Sequence, residues 1–171
     1  DKSAELVRQL LAYGRKSELR LSKVDPQALF GELDDLLRRV LPAHIQLEIV
    51  ACLSKPDLHV DKALLESAVM NLVINAQKAI GNSAGKVQLS AETDPLEKYV
   101  LIHVTDTGPG MKPDVLARAA EPFFTTRAVG QGSGLGLSMV NGFATQSGGD
   151  LSFSNLKTGG FRATIRLPIS L

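Results

Sequence analysis

The chain has 171 residues, 44% of them hydrophobic, enough for one sizeable core and too short for two full domains. Its 19 Lys and Arg against 18 Asp and Glu leave a net charge of +1, which excludes a global electrostatic attraction to nucleic acid or to a membrane. Cys52, the single cysteine, excludes an internal disulfide and a cysteine zinc site, and it reads as a small core residue. No apolar run approaches the roughly 20 residues needed to span a bilayer and the first residues do not read as a signal peptide, so a cytoplasmic location is expected.

Residues 2–18 carry Leu6, Val7, Leu10 and Leu11 at helical spacing among charged and polar residues. This predicts an amphipathic helix whose stripe faces either the domain or a partner helix. Alternation over 19–24 predicts a short strand, and Asp25-Pro26 supplies the cap and first-turn proline of a helix that Pro42 closes. A strand follows over 45–50, then a helix from an Asp61 cap to about Ile80, ended by Gly81-Asn82. Residues 86–92 and 99–106 read as strands joined by a hairpin around Asp94-Pro95, and the apolar run Tyr99-Val100-Leu101-Ile102 marks the second as central. Pro113 starts a short helix, a glycine-rich loop covers 121–133, a helix runs over about 134–146, and strands over 150–155 and 161–169 close the chain. The predicted fold is an α/β (α+β) two-layer sandwich, with a mixed sheet of about five strands, three main helices on one face and an N-terminal helix.

Three segments bear on chemistry. Gly130-Gln131-Gly132-Ser133-Gly134-Leu135-Gly136-Leu137 precedes an apolar helix, so a backbone free of Cβ atoms leads into N–H groups with a partial positive charge, a setting suited to phosphate. Its register fits neither G-x-G-x-x-G nor a P-loop, and the plain alternative is a flexible surface loop. Asp106-Thr107-Gly108-Pro109-Gly110-Met111 ends the central strand. A carboxylate there suits an exocyclic amino group such as that of adenine, while a capped tight turn and an aspartic-protease loop are the competing readings. On the helix after Asp61, Asn71, Asn75 and Lys78 lie along one edge. Amide oxygens suit Mg²⁺ held mainly by phosphates and Lys78 suits a phosphate oxygen, although two asparagines satisfied by backbone would look the same.

In this order the segments resemble the nucleotide-binding motifs of the GHKL superfamily of histidine kinases, topoisomerase and mismatch-repair ATPases and heat-shock chaperones. Residues 65–76 resemble its N box, 106–111 the first G box, Glu121-Pro122-Phe123-Phe124-Thr125-Thr126 the F box, and 132–137 the second G box. Residues 5–13 resemble the end of the second dimerisation helix of hybrid-type histidine kinases, and 159–168 resembles their closing strand. The resemblance implies a Bergerat-type sandwich, with residues 1–18 as the end of a dimerisation helix and 19–171 as an ATP-binding catalytic domain.

The roles that the resemblance implies are specific. Asp106 would bind the adenine amino group, with Gly108 and Gly110 making room for the base. Asn75 would hold Mg²⁺, with Asn71 and Lys78 beside the metal and phosphates. Phe123 and Phe124 would anchor a lid, Gly132, Gly134, Leu135 and Gly136 would offer backbone to the phosphates, and Thr126 and Arg127 would reach the γ-phosphate. Hydrolysing members carry a glutamate one turn before the metal asparagine, where this chain has Asn71, and an amide cannot act as a base. The implied activity is transfer of the γ-phosphoryl group of ATP to a histidine on a separate dimerisation domain, with a response-regulator receiver domain downstream. His44, His59 and His103 all lack the sequence context of the family's acceptor histidine. The alternatives are a GHKL ATPase driving conformational change, a homodimeric aspartic protease and a scaffold without nucleotide affinity.

Overall fold

The computed structural model describes residues 19–50, 57–126 and 134–169. The expected N-terminal helix, Cys52, Arg127 and Gly132 lie outside the described residues. The elements are β1 (Leu21–Val24), α1 (Pro26–Val40), β2 (Ile45–Val50), β3 (Leu58–Asp61), α2 (Lys62–Ile80), β4 (Gly85–Thr93), β5 (Tyr99–Asp106), α3 (Pro113–Arg118), α4 (Gly136–Gln146), β6 (Asp150–Asn155) and β7 (Phe161–Pro168).

Five strands form one mixed sheet in the order β2-β4-β5-β7-β6, with β2 parallel to β4 and every other pair antiparallel. The apolar run of β5 therefore takes the central place that its composition suggested. Val100, Ile102 and Val104 alternate onto the face that the helices cover, together with Val87 and Leu89 of β4 and Ala163, Ile165 and Leu167 of β7. Polar residues such as Ser90, His103 and Thr164 take the opposite face, as period-two alternation requires.

The helices bury faces of different width. Helix α1 is amphipathic and buries Leu29, Phe30, Leu33 and Leu37, whereas α2 lies between α1 and α4 and buries Leu65, Ala68, Val69, Leu72, Val73, Ala76 and Ile80. Both begin as the sequence predicts. Asp25 accepts from Gln27 N–H at 2.8 Å with Pro26 in the first turn, and Asp61 accepts from Leu64 N–H at 3.2 Å. No helix among the described residues is long and apolar enough to cross a membrane.

Strand β3 is the element that the sequence reading omits. It pairs antiparallel with β1 in a separate two-stranded ribbon, and Asp61 at its end also accepts from Arg20 N–H at 3.0 Å. Four residues give too short an alternation to stand out, and their partner lies far away in the chain.

Candidate functional site

The nucleotide-motif segments converge at the mouth of the sheet between α2, α3 and α4. A cavity of about 300 Å³ is lined by Asn71, Asn75 and Lys78 of α2, Asp106 of β5, Gly110 and Met111 after it, Phe124, Thr125 and Thr126 before α4, and Gly134, Gly136 and Leu137 at its start. That volume lies at the small end of the range for small-molecule sites.

Asp106 is 3% exposed and aligned with Val104 on the helix-facing side of β5. Across the ladder these two meet Phe161 and Ala163, and all four line the cavity. Burial pushes the Asp106 carboxyl up to about 6, against the opposing effect of a hydrogen bond from Gly108 N–H at 2.8 Å. Asp106 is the only carboxylate among the described residues that line the cavity, so an aspartic-protease pair would need a second copy of the chain. Gly108 does not line the cavity. It packs where a Cβ would fall 2.8 Å from Asp106 Oδ1 and 3.2 Å from the Ala79 carbonyl carbon.

Asn71 and Asn75 are half-buried and point into the cavity rather than into the core, one turn apart as the helical spacing predicts. A Cβ at Gly136 would lie 3.6 Å from both Asn71 Oδ1 and Asn75 Nδ2, so the start of α4 stands directly beside the two amides. Helix α4 begins two residues later than the sequence suggests, with Leu135 at its cap position and no side-chain cap. Its first N–H groups and the positive end of its dipole thus face the cavity, while the Leu135 side chain is buried.

Gly134 ties this helix to the segment before it. Phe123 N–H donates to Gly134 O at 3.0 Å, and at φ +66° a Cβ on Gly134 would lie 2.5 Å from the Phe123 carbonyl carbon. Of the two expected lid anchors, Phe124 lines the cavity beneath the Arg118 guanidinium, 4.3 Å from its ring centroid. Phe123, at φ +65°, is 62% exposed and outside the cavity. The sequence reading gives no site role to the apolar wall of Met111, Val115, Ala119, Phe161 and Ala163, although Met111 closes the Asp106 motif. Such residues carry no distinctive sequence signal, although the i, i+2 relation of Val104 to Asp106 places both on one face.

The family described as histidine kinase-, DNA gyrase B-, and HSP90-like ATPase matches residues 60–171. The chain belongs to this ATPase family. Within it the likeness is to the catalytic ATP-binding domain of sensor histidine kinases. Sensor kinase CckA of Brucella abortus is 37% identical over 161 residues, which cover 87% of this chain and 17% of CckA. Full-length ShkA in complex with AMPPNP is similar with a TM-score of 0.84 and 27% identity over 97% of this chain and 35% of ShkA. The ATP-binding domain of PrrB from Mycobacterium tuberculosis is similar with a TM-score of 0.72 and 28% identity over 88% of this chain and 98% of that domain. The helix-covered mixed sheet is the shared architecture, and the ATPase family supplies ATP as the ligand class.

Proposed function

We propose that this chain binds ATP with Mg²⁺ and presents the γ-phosphoryl group to a histidine on a separate dimerisation domain, as the catalytic part of a two-component sensor kinase. The observation that carries this reading is the convergence of Asp106, the Asn71 and Asn75 amides and the start of α4, which has no side-chain cap, on one cavity. A buried carboxylate selects the adenine amino group, and the apolar wall accepts the flat base. Gly110 leaves room beside the base, and Gly108 keeps its N–H on Asp106. The N–H groups of α4 from Gly136 onward meet the phosphates, with Lys78 adding positive charge. Phe124, Thr126 and Gly134 close the side nearest the γ-phosphate. Arg127 and Gly132 belong to the same lid reading. Residues 1–18 serve as the end of the dimerisation helix, and a receiver domain takes the phosphoryl group onward.

Among the described residues no trio of His, Cys, Asp or Glu forms a metal cage of its own. An amide oxygen beside the phosphate pocket suits an ion held chiefly by phosphates, so Asn75 is its protein ligand, with Asn71 alongside. When bound, the ion neutralises phosphate charge. The chain's own contribution is to hold the nucleotide in line and to exclude a base: Asn71 stands where a glutamate would activate water, which favours transfer over hydrolysis.

Calorimetric titration with a non-hydrolysable ATP analogue, with and without Mg²⁺, tests the pocket. Affinity is expected to rise with Mg²⁺ in the natural chain and to lose that rise in Asn75→Ala. Equal Mg²⁺ enhancement in Asn75→Ala would remove Asn75 from the metal site. A hydrolysing ATPase would instead show steady-state phosphate release that Asn71→Ala abolishes.

A further inference from the structure

The stretch between β5 and α3 belongs to neither helix nor strand, yet it supplies Gly110 and Met111 to the cavity wall beside Asp106. Irregular backbone presents a fixed surface only where other groups satisfy and hold it. Its first residue is held from β4: Thr107 N–H donates to Lys86 O at 3.2 Å, and Lys86 N–H donates to Thr107 Oγ1 at 2.9 Å. Its far end is held from the other side of the sheet by Asn155, the last residue of β6. Met111 N–H donates to Asn155 Oδ1 at 2.9 Å, and Asn155 Nδ2 donates to Met111 O at 2.7 Å.

One carboxamide thereby satisfies both backbone groups of one residue, as a neighbouring strand would. The approach is close: Gly110 sits at φ +75°, and a Cβ there would lie 2.6 Å from Asn155 Oδ1. The turn after β6 closes on the same place, since a Cβ at Gly160 would lie 2.2 Å from the Asp106 carbonyl oxygen. The end of the β6–β7 hairpin therefore braces the adenine carboxylate's backbone and the wall that faces it together.

We propose that Asn155 is a positioning residue for the nucleotide, setting the distance between the Gly110–Met111 wall and Asp106 without itself lining the cavity. The inference rests on the ATP reading of this pocket. Asn155 is exposed, so its loss removes little packing and acts on the loop. Aspartate at 155 keeps the acceptor for Met111 N–H but loses the donor to Met111 O, which leaves half the clamp.

The test uses the 171-residue chain with Asn155→Ala and Asn155→Asp at neutral pH. ADP affinity, the thermal midpoint without nucleotide and hydrogen exchange at the Met111 amide are measured for each. ADP binding is expected to weaken about tenfold in Asn155→Ala and by less in Asn155→Asp, with the midpoint unchanged and faster Met111 exchange in the alanine variant. Natural ADP affinity in Asn155→Ala, or a loss that follows a fall of the thermal midpoint in both variants, overturns the proposal. Failure of the unsubstituted chain to bind ADP sinks the ATP reading itself. Met111 exchange then decides the clamp, and an unchanged rate in Asn155→Ala overturns it.

Discussion

Asp106, the proposed adenine ligand, illustrates how a buried carboxylate costs stability. Its carboxyl titrates near 6 in the folded chain against an ordinary value of 3.8, because burial disfavours the charged form more than the Gly108 N–H favours it. The folded value is the higher one, so the stability this group contributes is fully present below about pH 3.8 and is lost as pH rises through about 6. At neutral pH the ionised group opposes folding, and Asp106→Asn, which keeps an oxygen for Gly108 N–H, is expected to raise stability. The gain is about 1–2 kcal/mol once solvent screening is allowed for, measured by urea unfolding at pH about 7.5. The same substitution is expected to weaken adenine binding, since an amide oxygen is a poorer acceptor than a carboxylate. A nucleotide that donates its amino group prefers the ionised carboxyl, so ATP affinity in the natural chain should fall below about pH 6 and level off above it. Affinity flat between about pH 5 and 8 would mean that Asp106 does not meet the base.

At the level of elements, α2 joins two parts of the molecule through its N-cap residue. Asp61 caps the helix through Oδ1 and holds Arg20 N–H through Oδ2, so one carboxylate links α2 to the start of the β1–β3 ribbon. Asp61→Ala is expected to cost about 1–2 kcal/mol, read as a lower urea midpoint, with nucleotide affinity unchanged because the cap lies at the helix end opposite Lys78. A loss of affinity without loss of stability would contradict that separation. The cap itself was legible in the sequence because capping is local chemistry: an acid, a hydrogen bond three residues on, an apolar periodicity behind it. Strand order was partly legible, since the apolar run of β5 suits a strand with a neighbour on each side. Pairing of β1 with β3 was not, because four residues from distant parts of the chain carry no mutual signature. The site divides in the same way. Asn71, Asn75 and Asp106 are polar residues in apolar elements and stand out, whereas Met111, Val115 and Phe161 read as core, and Asn155 reads as an ordinary strand end until Met111 is seen against it.

For the molecule as a whole, the sheet separates the proposed nucleotide cavity from His103, the one buried histidine among the described residues. Along β5, Val104 and Asp106 face the helices, so His103 between Ile102 and Val104 takes the opposite face, with Nδ1 2.9 Å from Thr164 Oγ1 and Nε2 3.1 Å from Glu92 Oε1. Burial, the largest influence, holds its imidazole below the ordinary value, and both ring nitrogens are engaged by Thr164 and Glu92. His44 bonds Gly81 O through Nε2 at 2.9 Å, at the end of α2, and His59 is exposed on the separate β1–β3 ribbon. Attack on a γ-phosphoryl group needs a ring nitrogen with a free lone pair brought in line with the phosphate, and none of these placements supplies it. Incubation of the chain with γ-labelled ATP and Mg²⁺ is therefore expected to give no acid-labile label on the chain, with transfer appearing when a histidine-bearing dimerisation domain is added. Acid-labile phosphate mapped by mass spectrometry to His44, His59 or His103 in the chain alone would place the acceptor within this domain and overturn the division between nucleotide holder and phosphoryl acceptor.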